Sequence, residues 1–133
     1  MPLAAALAVH VAGLALTVPV GWHVDRTRTN CDPVQLLVLS SAPIRSAGPR
    51  PGEVEIILLE DHVNHPRGQL RRAAHFRWRN AQPLEGCCET PAAPGWLTWF
   101  RYRTRLLGFI VYPGRGVSPA LRAQTLRVLD SLR

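Results

Sequence analysis

The clearest period-two pattern along the chain lies at residues 53–60, where Val54, Ile56 and Leu58 fall on one face and Ile57 and Leu59 on the other. Both faces are apolar beyond the first pair, so the pattern predicts a central strand covered on both sides. A shorter apolar run at 35–40 predicts a second buried strand, and Ala73 to Trp78 alternates as a half-buried one. Residues 96–102 and 105–112 read as a hairpin, but Arg103-Thr104 lacks the Asn-Gly chemistry of a two-residue turn, so a longer or bulged loop is expected. Near the other end of the chain, residues 8–12 and 14–18 predict two short strands, with Val9 and Val11 on one face and Leu14, Leu16 and Val18 together.

The last element has helical spacing. Ser118 suits an N-cap, Pro119 the first helical position, and Leu121, Thr125, Val128, Leu129 and Leu132 form one stripe, so a helix is expected over 119–132. That stripe needs a sheet to cover. The expected architecture is α+β, a mostly antiparallel sheet of five to seven strands with a C-terminal amphipathic helix packed on one face. Residues 21–33, 42–52, 61–72 and 80–95 read as connections, with a short helix as the other reading of 61–72. Residues 9–133 form one expected domain, and residues 1–8 are an unassigned segment.

Residues 2–20 are almost wholly apolar, and 19 residues of helix span about 29 Å, enough for a bilayer core. Abundant alanine, His10, Gly13 and Pro19 argue against a span, and no Lys or Arg precedes Arg26 to make a signal peptide. A misplaced start or degenerate export signal over 1–8, and a true anchor, stand beside the two-strand reading.

Size and composition suit one ordinary core, and twelve prolines and ten glycines favour short strands and many turns. The sixteen basic residues are all arginine, a mark of GC-rich coding that weakens the net charge of +7 as a sign of a polyanion partner. Arg71, Arg72, Arg77 and Arg79, interleaved with Phe76 and Trp78, are the candidate anion-binding group, because guanidinium planes and rings together bind phosphates and stack on bases. Against it stands the plain reading of a strand whose solvent face is arginine.

Three cysteines leave one over. Neighbours in sequence seldom bond each other, so Cys31 with Cys88, or with Cys87, is the candidate bridge, closing a loop of about 57 residues and worth roughly 4 kcal/mol. Three free thiols is the cytosolic alternative. Trp22, Trp78, Trp96 and Trp99 are candidates for core or for an apolar pocket, a shallow groove between sheet and helix included.

The chemistry-bearing residues form no nucleotide loop, no triad and no metal cluster at accepted spacing. Asp61, His62 and His65 lack a further ligand, His75 reads as a boundary residue, and Cys87 or Cys88 beside Glu89 lacks a sign of an activated thiol. No enzyme, cofactor or metal is expected.

The run from Gly13 to Trp22, a strand entering Pro-x-Gly-Trp, resembles the opening of small extracytoplasmic domains of high-GC bacteria. Val54 to Glu60, Arg105 to Gly114 and the closing Leu126-Arg-Val-Leu-Asp-Ser-Leu132 continue the likeness, and the order of parts is similar to PsbP-like and related lipoprotein domains. The resemblance implies an antiparallel sheet flanked by helices and an extracytoplasmic or envelope location, and carries no catalytic motif. The resulting expectation is a non-enzymatic binding module for an unknown protein or a small apolar ligand. A cytoplasmic accessory protein, binding nucleic acid weakly through its arginine-aromatic strand, is the alternative.

Overall fold

The computed structural model describes residues 5–26, 28–29, 31–63, 71, 75–85 and 90–133. Its architecture is α+β, with a six-stranded antiparallel sheet, a separate two-stranded hairpin and one helix. The hairpin is β1 (Ala6–Val11) and β2 (Leu14–Pro19), and the main sheet has the order β3-β4-β5-β8-β7-β6. Those strands are β3 (His23–Asp25), β4 (Val34–Ser40), β5 (Val54–Asp61), β6 (Gln82–Pro83), β7 (Pro94–Tyr102) and β8 (Arg105–Pro113). Helix α1 (Pro119–Asp130) closes the chain order.

Strand β5 lies between β4 and β8, as its two apolar faces require, and every residue from Val54 to Glu60 is buried. Its helix-side face contributes Val54, Ile56 and Leu58 to the larger core, where they meet Leu107, Phe109 and Val111 of β8 and Val128, Leu129 and Leu132 from the C-terminal end. The same core takes Val9, Leu14, Leu16 and Val18, so helix and hairpin together cover one face of the sheet. Burying a leucine such as Leu129 contributes about 1.5–3 kcal/mol.

The Ser118 hydroxyl accepts from Leu121 N–H at 3.1 Å and caps the helix, with Pro119 in its first turn. Thr125, fully buried in the apolar stripe, donates its hydroxyl to the Leu121 carbonyl at 2.8 Å, so no polar atom is stranded there. Beyond the helix, Arg133 exchanges backbone hydrogen bonds of 2.7 and 3.0 Å with Ala15, and the Ser131 hydroxyl accepts from Thr17 N–H at 2.8 Å. These bonds tie the helix end to β2.

The apolar opening run is a β-hairpin over residues 6–19, not a spanning helix. Val11 pairs with Leu14 across Ala12 and Gly13, whose φ values of 50° and 78° suit a tight primed turn. The first strand starts at Ala6, inside the segment left unassigned by sequence. No helix among the described residues is long and apolar enough to cross a membrane.

Three expectations change. The turn between β7 and β8 is only two residues long, since Tyr102 pairs with Arg105 and Arg103 takes a positive φ of 57°, its guanidinium 5.2 Å from the Tyr102 ring. Within the run read as a strand from Ala73 to Trp78, residues 73 and 74 lie outside the described residues, and residues 75–78 belong to no strand. Phe76 and Trp78 turn inward and His75 and Arg77 outward, as the alternation required. Instead of a ladder, Asp130 holds the segment, accepting from Phe76 N–H at 2.6 Å with His75 Nδ1 3.2 Å from its other oxygen. Finally, the short strands β3 and β6 lie inside stretches read as connections.

Candidate functional site

Strand β4 carries a bulge. Gln35 pairs with Leu59 and Leu37 with Leu58, so Leu36 is an extra residue. Leu36 and Leu37 therefore both enter the helix-side core, and Gln35 moves to the opposite face. With regular alternation, Gln35 would share the face of Leu37 and Leu39 and meet the helix-side core.

On that opposite face Val38, Ile57, Leu59, Ile110 and Tyr112 form a second core. Among the described residues its packed hydrophobic cover includes no helix residue and comes from Ile44, Leu84 and Ala93 of connecting segments and from Trp99. The cover leaves an apolar cavity of about 230 Å³. Leu59, Ile110 and Tyr112 floor it, and Leu97 and Trp99 of β7 form one wall. Trp99 owes its place to a glycine on the next strand. A Cβ at Gly108 would come within 2.8 Å of the Trp99 ring.

Three polar side chains of this face, Gln35, Glu55 and Tyr112, are buried. Gln35 is 7 % exposed, and its Oε1 has no hydrogen-bond partner among the described residues. An unpaired buried acceptor costs about 1–3 kcal/mol, so its retention on a cavity wall is informative. Glu55, 2 % exposed, faces a second depression that meets the cavity at Gln35 and Thr90. Desolvation pushes its carboxyl up to about 7. Burial also raises the Tyr112 hydroxyl, against the pull of a hydrogen bond with Thr90 and with help from the Glu55 charge.

The tryptophans divide between the two faces. Trp96 is buried in the helix-side core, Trp22 and Trp78 pack against that core, and Trp99 alone lines the cavity. The cavity that Trp99 lines thus lies on the loop-covered face, away from α1. The Trp96 ring nitrogen is a second buried group without a partner, and nothing in the described residues accounts for it.

The arginine group separates. Arg71 makes an isolated bridge with Arg101 and lines a depression with Arg101, Tyr102 and Arg103. Arg79 lies instead in an open cleft of about 570 Å³ with Trp78, Arg115 and Arg122, the last 5.3 Å from the Trp78 ring. Arg77 is exposed and lines neither, and Arg72 lies outside the described residues.

Cys31 sits at the cavity rim and is not a free side chain. Cys87 and Cys88 lie outside the described residues, while Leu84, Glu85 and Thr90, on either side of them in sequence, line the same cavity as Cys31. His62 Nε2 is 3.7 Å from Glu60 Oε1, and His65 lies outside the described residues. Among the described residues no three His, Cys, Asp or Glu side chains stand close enough to hold a metal.

Sequence reasoning passed over Gln35, Glu55 and Tyr112. Glu55 left a signal, a carboxylate within a strand whose two faces are both expected to be buried. Gln35 left none, because a run of consecutive leucines hides the bulge. No protein-family model, curated protein or solved structure matches the chain.

Proposed function

We propose that this protein is a non-enzymatic binding module of the cell envelope or extracytoplasmic space, holding a small, largely apolar molecule in the cavity beneath Trp99. The carrying observation is the cavity itself, an apolar space of about 230 Å³ beside a buried acceptor. Drug-sized sites run to roughly 300–1,000 Å³, so the occupant is small. Of the two expected occupants, protein or small ligand, this concave space favours the ligand.

Ethylbenzene tests the reading. Titrated into the protein, it should shift the NMR methyl signals of Ile110 and Leu97 saturably and leave those of the helix-side Leu129 in place. Absence of any saturable shift at millimolar ethylbenzene rejects the reading.

The location rests on the resemblance and on a Cys31 bridge to Cys87 or Cys88. Support for the bridge is the position of Cys31 in the cavity rim shared with Leu84, Glu85 and Thr90. Protein purified without reductant should show one reactive thiol after denaturation. Three thiols would favour the cytosol.

A second reading, weak nucleic-acid contact, is favoured by the cleft that Arg79, Arg115 and Arg122 line with Trp78, where no carboxylate stands among the described lining residues. It requires a steep loss of affinity with salt. A flat salt response removes it.

A further inference from the structure

Resting on the reading of the cavity as a ligand site, we infer that its occupant is a small organic amine, with its ammonium directed to Gln35 Oε1 and its apolar body against Leu97, Trp99 and Ile110.

The first support is the acceptor. Gln35 is 7 % exposed, lines both the cavity and its polar neighbour, and presents a carbonyl oxygen with no donor among the described residues. A ligand that completes this bond must bring an N–H or O–H. A carboxylate, phosphate or ether would leave it unmet.

The second is the sign of the local charge. In a chain of net charge +7 with nine acidic residues, Asp32 and Glu85 line the cavity, and among the described residues no arginine or histidine does. Asp25 and Glu55 line the adjoining depression. Its arginine, Arg45, is already engaged by Glu53 at 2.6 Å. Asp32 and Glu85 thus border the cavity in a chain that is otherwise strongly basic, a local field that favours cations over anions.

Burying an ammonium costs several kcal/mol unless it is paired. One amide carbonyl does not offset that, but a charge-assisted bond to it acts together with Asp32, Glu85 and the rings of Trp99 and Tyr112 that line the same cavity. This combination separates an amine from an alcohol, which would satisfy Gln35 but gain little from the carboxylates.

Three probes sharing a phenylethyl body test the inference: phenethylammonium, 3-phenylpropanoate and ethylbenzene, each titrated at low salt and followed by the Ile110 methyl signal. Phenethylammonium should bind at least tenfold more tightly than the other two. In Gln35→Leu its advantage over ethylbenzene should fall at least fivefold, with ethylbenzene affinity unchanged. The exposed double variant Asp32→Asn/Glu85→Gln, which leaves the core intact, should weaken phenethylammonium two- to threefold and spare ethylbenzene. Equal binding of all three probes, or preference for 3-phenylpropanoate, overturns the amine inference and leaves the cavity reading standing. An ammonium preference unchanged in both variants overturns the assignment to these residues. Failure of all three probes removes both readings.

Discussion

Arg105 binds Glu60 through two parallel bonds, Nε to Oε2 and Nη2 to Oε1, each 2.7 Å, while its Nη1 donates to the Ala12 carbonyl at 2.8 Å. One guanidinium thus joins strand β8 to strand β5 and fastens both to the turn of the β1–β2 hairpin. A planar fork suits this task, and lysine could not replace it.

Removing one partner should be costly, because the Glu60 carboxylate is largely buried. Arg105→Leu is expected to lose about 2–4 kcal/mol in urea denaturation. The hydrogen bond from Arg105 is the main reason the Glu60 carboxyl lies below its usual range, against a desolvation cost. Its stabilisation is therefore present above the ordinary carboxylate range and lost as pH falls through the depressed value. Arg105→Leu should abolish this acid-side loss. An unchanged unfolding midpoint would show that the attachment of the hairpin does not depend on the Arg105 fork.

Glu55 has the opposite sign. Its folded carboxyl holds its proton up to about 7, whereas the unfolded one releases it near 4.5. Between those values the folded state binds more protons, so stability should fall as pH rises, by as much as ~3 kcal/mol. Glu55→Gln should flatten that part of the profile and raise stability at pH 8. A wild-type profile already flat from pH 5 to 8 would mean that the carboxyl is solvated.

Gly108→Ala should act on the cavity through Trp99. The added methyl would lie within 2.8 Å of the ring, so the indole must shift, at about 1–3 kcal/mol. Ethylbenzene affinity should change with it. Wild-type stability and wild-type ligand shifts in this variant would argue that Trp99 does not shape the wall.

Asp130→Ala should release residues 75–78 by removing the acceptor for Phe76 N–H and the partner of His75. Limited proteolysis should then cut near Arg77 while α1 stays folded by circular dichroism. Equal resistance in wild type and variant would leave the anchoring to the Phe76 ring, which packs edge-on against Phe100 and Phe109 at 5.4 Å.

Sequence periodicity reached the elements whose burial repeats over several residues: both strands of the opening hairpin, β4, β5, β7, β8 and α1. It missed β3 and β6, which at three and two residues are too short to show a period. Residues 75–78 showed that alternation reports which side chains point inward, not whether the backbone joins a ladder. The Arg103 turn escaped because a tight connection between well-paired strands can hold a non-glycine residue at positive φ. For the site, the sequence named Trp99 only as one of four tryptophans for core or pocket, and Cys31 as one end of a candidate bridge. The cavity depends on a one-residue shift in pairing, and composition does not record register.

The extra residue in β4 also makes the two halves of the molecule separable in evolution. Leu36 and Leu37 keep the interior under the helix filled whatever stands before them, so position 35 can exchange its amide for another side chain without disturbing the scaffold. Recognition could drift at that position while the framework stays the same.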